Sequence, residues 1–198
     1  MPPASDRGHT RAVFAIVIVG ETVLGIAAVG WIAWRDLPVR FTGAMTDVAF
    51  GLACAGLLAA GNLGLLHYGP NVRPLRAMRR LYRTLLGPLF GGLGVGQIVS
   101  VSVAVGVAEE AFFRGAVQAE WGLATASVLF GLVHIGRADM VPLGLWAAVA
   151  GFLLGWLAQF THGLLAPITA HATYDALALL YIGRMAAAGG PLDVEEFG

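Results

Sequence analysis

Apolar runs close to the length of a bilayer-spanning helix recur along almost the whole chain, at roughly 12 to 34, 46 to 68, 94 to 118, 121 to 136, 141 to 160 and 163 to 183. A helix needs about 20 predominantly apolar residues to cross the hydrocarbon core. The pattern predicts an all-α fold, a polytopic transmembrane helical bundle with about six membrane-spanning helices. Composition agrees: 58% of the 198 residues are hydrophobic and 12% are charged, against roughly 45 to 50% apolar content in a soluble domain. No polar block is large enough for a second domain, so residues 1–183 are read as one integral membrane domain and 184–198, with Asp193, Glu195 and Glu196, as a short polar tail. Arg7 and Arg11 precede the first run as they would in a secretion signal. The run continues to about Trp34, however, beyond the roughly 7 to 15 apolar residues of a cleaved signal, and is read as a retained helix.

Net formal charge is zero, which gives no footprint for nucleic acid. All twelve basic residues are Arg, and their placement sets an orientation. Arg7 and Arg11, the connection carrying Arg73, Arg76, Arg79, Arg80 and Arg83, and Arg184 share one side, with Arg35 and Arg40 opposite. Positive residues near short loops stay cytoplasmic, so both termini are expected inside, in a bacterial inner (cytoplasmic) membrane. The five-Arg connection reads first as a topology determinant and second as a contact for anionic membrane lipids. The Pro/Gly-marked stretch from Arg83 to Gly96 is a place for an additional interfacial helix. Gly91 with Gly96, and Gly151 with Gly155, resemble small-residue contacts that let membrane helices approach closely. The single cysteine, Cys54, excludes an intrachain disulfide and reads as a small apolar helix residue.

Ionisable side chains in a spanning helix are costly, about 2.5 to 3.5 kcal/mol each on insertion scales, and mark functional sites by default. Three clusters break the apolar runs: Glu109, Glu110 and Arg114; His134 after Phe130; and His171 with Asp175. Glu110 and Arg114 are four apart with the acid first, favourable for an ion pair on one helix face. Glu109 is turned about 100° away, toward a histidine across the bundle. His171 and Asp175 again share a face. The chemistry that fits is water activation: Glu109 with His134 can deprotonate a water that attacks a carbonyl carbon, while His171 and a proton-bearing Asp175 supply donors to the oxyanion. No metal or other cofactor is required.

The ordered set Glu109-Glu110-x-x-x-Arg114, Phe130-x-x-x-His134 and His171-x-x-x-Asp175 resembles the three motifs of the CPBP family, the CAAX-protease-like membrane proteins, over about residues 100 to 183. The resemblance implies a glutamic-type intramembrane endopeptidase with its site in a cavity opening within the membrane. It implies Glu109 as general base, His134 as its partner, His171 with Asp175 as the oxyanion pair, and Glu110 with Arg114 as support. One position departs. The last motif residue is often Asn in CAAX-processing enzymes, and Asp175 donates only when protonated; alternatively it orients His171.

Other polar residues rank lower. His67 and His162 sit near expected helix ends; Gln118 and Glu120 are expected at the interface; Arg137 and Asp139 line the cavity mouth or cap a loop. Asp47 is a membrane-adjacent acid, and Glu21, well inside the first run, is the candidate additional site residue. Three readings compete: an endopeptidase acting on a membrane-anchored or lipidated peptide or protein substrate, a metal-dependent hydrolase using Glu109, His134 and His171, and a non-enzymatic scaffold or immunity protein using the same cavity. A proton-coupled transporter ranks last, because no pair of broken-helix repeats is visible.

Overall fold

The computed structural model describes residues 4–41 and 43–188. Every regular element in this range is helical. Helix α1 is Ala4–Arg35 and α2 is Met45–Tyr68. Helix α3 begins as Arg73–Leu81 and continues through a wider π turn, Tyr82–Leu86, into Gly87–Phe90. Helix α4 is Val95–Glu110, extended by a second π segment, Ala111–Val117. Helix α5 is Gln118–Val133, α6 is Val141–Thr161 and α7 is Leu165–Ala187.

Four described stretches are long and apolar enough to cross a membrane: Gly8–Arg35, Met45–Tyr68, Val95–Val133 and Ala138–Thr161. The third, at 39 residues, would run roughly 60 Å if straight, about twice the hydrocarbon thickness. A break at Gly122, at φ 82° inside the helix, divides it; this left-handed conformation is open to glycine without the penalty a Cβ carries. Two of the six expected spans therefore meet at that break. The last expected span is α7, long enough at 23 residues but diluted by His171, Asp175 and Arg184.

The surface is apolar outward, as a lipid-facing bundle requires. Ile16, Val19, Val23, Ile26 and Val29 of α1, Val99 and Val103 of α4, and Val149 and Phe152 of α6 are all exposed. The protein is an integral membrane protein. Inside, α7 packs against both α2 and α4, α5 packs against α6, and α1 lies along α4 and its π extension. Close approach at these crossings is set by small residues. A Cβ built on Gly106 of α4 would sit 3.0 Å from the Ala172 backbone nitrogen of α7, and one on Gly131 of α5 would sit 2.6 Å from the Gly144 carbonyl of α6. The expected contacts at Gly91, Gly151 and Gly155 are present, whereas Gly96 faces open space.

The basic connection is a helix, not a loop. Met78 and Tyr82 of α3 pack on Leu66, Ile182 and Met185. Arg79 folds back on the end of α2, donating from Nε to the Leu66 carbonyl at 2.7 Å and from Nη2 to the Gly69 carbonyl at 2.7 Å. Those carbonyls lack intrahelical partners, and a cation at a helix C-terminus satisfies both them and the dipole. Two further expectations shift at the ends. Helix α1 starts at Ala4, before the apolar run, and Arg184 lies within α7. Residues 189–198, most of the expected polar tail, fall outside the described residues.

Candidate functional site

Glu110 is the hub of the bundle interior, with no solvent exposure. Its Oε1 receives Arg114 Nη1 at 2.8 Å, the anticipated four-residue pair, and also His171 Nδ1 at 2.7 Å from α7. Arg114 is itself held from three directions. Its Nη2 donates to the Gly151 carbonyl of α6 at 3.2 Å, and its Cζ lies 4.4 Å from the centre of the Phe130 ring of α5. Such a cation–ring contact gains strength when desolvated.

A carboxylate paired with a guanidinium is an acceptor only, so the hydrogen in the Glu110–His171 bond sits on Nδ1. That fixes the ring and leaves Nε2 outside the bond. Nε2 faces Glu109 Oε2 at 3.9 Å and Asp175 Oδ2 at 3.6 Å. Both separations exceed a hydrogen bond. Glu109 Oε2 is buried without a hydrogen-bond partner, as is Glu110 Oε2.

His134 caps the end of α5. Its Nδ1 lies 2.7 Å from the Phe130 carbonyl one turn earlier, so Nδ1–H donates and Nε2 is left as acceptor. The Phe130 ring lies 4.8 Å from His134 and 5.8 Å from His171, centre to centre, in contact with both imidazoles. Among the described residues no hydrogen bond or ion pair joins His134 to Glu109; the imidazole nearest Glu109 belongs to His171. The structure thus gathers Glu109, Glu110, Arg114, His171 and Asp175, with His134 linked to them through the Phe130 ring that touches both imidazoles.

The remaining polar residues resolve simply. Gln118, expected at the interface, is buried and donates to the Gly155 carbonyl at 2.9 Å. Glu120 pairs with Arg35 at 2.6 Å, and Arg137 pairs with Asp139 on the surface. Asp47 caps α2 through the Ala44 amide. His67 meets Tyr181 at 2.9 Å, His162 ends α6 in a left-handed conformation, and Cys54 is half-buried and free. Sequence reasoning missed the second partner of Glu110 and the contact of the Phe130 ring with both imidazoles. Neither follows from spacing within one helix. A cavity of about 420 Å³ lies on the far side of Arg114, lined by Arg40, Gln118, Gln159 and His162 among others. None of Glu109, His134, His171 and Asp175 lines it. Among the described residues no three His, Cys, Asp or Glu side chains are grouped so as to hold a metal ion.

An all-helical membrane bundle with carboxylates gathered around an oriented imidazole is the class this geometry defines. Residues 91–177 match the family model described as type II CAAX prenyl endopeptidase Rce1-like. That segment contains all three motifs, and the family resemblance they carry holds over it. Over 89 residues the chain is 33% identical to a protein of Bacillus subtilis (strain 168) named "Uncharacterized protein YpbD", an alignment covering 45% of this chain and 47% of the relative. The match thus spans about half the length of that curated relative. No solved structure matches the chain.

Proposed function

We propose that this protein is an intramembrane endopeptidase that hydrolyses a peptide bond of a membrane-anchored or lipidated substrate. The observation that carries the reading is the His171 Nε2 face: an imidazole locked by Glu110, with the carboxyls of Glu109 and Asp175 both within 4 Å of the nitrogen it leaves free. Glu109 takes one proton from a water, and the resulting hydroxide oxygen attacks the scissile carbonyl carbon. Asp175, when protonated, and His171, when both ring nitrogens carry hydrogen, donate to the oxyanion. Collapse of the tetrahedral centre breaks the C–N bond, and the proton held by Glu109 passes to the departing nitrogen. To His134 Nε2, an acceptor, the proposal gives the part of taking or returning a proton during this transfer. Glu110 and Arg114 do not touch the substrate; they hold His171.

Arginine placement supports an orientation with both termini cytoplasmic in a bacterial inner membrane. The protein in lipid nanodiscs, carrying Glu109→Gln, is the decisive reagent. Expected is loss of at least about 100-fold in turnover, within the range for a removed general base, with retention of an uncleaved peptide identifiable by mass spectrometry. Full turnover in that variant would overturn the assignment of Glu109, and the peptidase reading with it.

A further inference from the structure

Glu21 lies in the middle of α1, a helix whose apolar run from residue 12 to 34 holds no other ionisable side chain. The inward stripe of α1 runs through Phe14, Ile18, Glu21, Gly25 and Ala28, while Val19, Val23 and Ile26 face outward. Gly25 marks where α1 meets α4: a Cβ there would sit 3.7 Å from Ala108 Cβ. Glu21 is one turn from Gly25 on the same face, and Ala108 immediately precedes Glu109. One turn of α1 therefore separates Glu21 from the point at which α1 meets the residue before Glu109. Glu21 Oε2 is buried with no hydrogen-bond partner, as is Oε2 of Glu109. A carboxylate oxygen buried without a partner is an expensive thing to keep inside a spanning helix.

A helical substrate in lipid satisfies its own amides, and its carbonyls are closed to attack. To be cut it must unwind, and each freed N–H that is buried in the site then needs an acceptor from the protein. We propose that Glu21 is a substrate-binding residue of this site, whose carboxyl accepts a backbone N–H of an unwound peptide segment lying along α1 beside the seam with α4. The inference rests on the peptidase reading and names the form in which the substrate is held: extended, along α1. The acceptor is required here, not the charge.

Two measurements in nanodiscs test it. With the peptide recovered on Glu109→Gln as substrate, Glu21→Leu is expected to raise KM about tenfold, the size of one unsatisfied buried amide, with kcat nearly unchanged. Glu21→Gln, which keeps an acceptor oxygen, should restore KM to within about threefold on the same argument. A photo-crosslinking residue at Ile18, one turn from Glu21 on the inward stripe, should capture that peptide in the Glu109→Gln background, and one at Val23 should capture lipid. Capture of lipid alone at Ile18, or a KM indifferent to Glu21→Leu, overturns the inference while leaving the role of Glu109 standing. Peptide capture at Ile18 with turnover indifferent to Glu109→Gln overturns the peptidase reading instead.

Discussion

Replacing Arg114 with methionine keeps much of the side-chain length and removes the cation that compensates Glu110. Glu110 has no exposure and would keep only His171 Nδ1 as a donor. Breaking a buried pair from one side costs about 3 to 5 kcal/mol, because the remaining charge stays uncompensated. The lower end applies here, since helices separated within a membrane still find polar partners in the unfolded reference. The expectation is a loss of about 3 kcal/mol of helix-association stability, read by reversible unfolding in mixed micelles or by steric trapping in bicelles. The lost Nη2 bond to Gly151 and the Phe130 contact fall within that figure. Glu110→Leu alone should cost a similar amount, this time stranding the guanidinium. Combining the two should recover part of the loss, as apolar replacements of buried pairs often do, leaving a deficit of about 1 to 3 kcal/mol for the His171 Nδ1–H without its acceptor. The double variant should nevertheless remain inactive, because His171 has lost the acceptor that orients it. Single effects that simply add, or an Arg114→Met cost below about 1 kcal/mol, would refute the claim that this pair sustains the core around His171.

Other expectations are narrower. Asp175→Asn should keep activity within about tenfold and lose whatever alkaline limb of the pH profile belongs to Asp175, because an amide donates at every pH; Asp175→Ala should lose the oxyanion donor, about 100-fold or more in kcat. A chelator titration should leave peptide cleavage unchanged, and activity lost to chelation and restored by added zinc would revive the metal-dependent reading of Glu109, His134 and His171. Gly106→Ala should cost about 1 to 3 kcal/mol by overpacking, since its Cβ would press on the backbone of Ala172. Because Ala172 follows His171, kcat should fall as well, and a Gly106→Ala protein of parental stability and activity would show that α4 and α7 are less tightly apposed.

How much of this was open to inspection of the sequence depends on the distance over which each cause acts. The helices were legible because lipid imposes one simple demand, a long apolar segment, and the pairs Glu110–Arg114, Phe130–His134 and His171–Asp175 were legible because a helix brings residues four apart onto one face. The amphipathic α3 was harder. Five arginines read as a loop until Met78 and Tyr82 are seen packed on Leu66 and Ile182, with Arg79 capping the helix before it. The π segment at Ala111–Val117 and the fold-back at Gly122 carry no pattern that separates them from an ordinary continuing helix. Least visible was which acid meets which imidazole. Spacing alone assigned Glu110 to Arg114, a pair the structure contains, and turned Glu109 toward a histidine across the bundle read as His134, whereas the imidazole within 4 Å of Glu109 is that of His171. Yet Glu110 is also the residue that touches His171, because one carboxylate oxygen has lone pairs for two donors, and the second donor arrives from a helix 61 positions away. A side chain's first partner can be local and readable; its second depends on how α4 and α7 cross, which Gly106 and Ala172 set through their lack of bulk. The same logic explains Glu21. It stood out as a polar residue in an apolar run, and its facing toward Glu109 came only from the seam at Gly25 and Ala108.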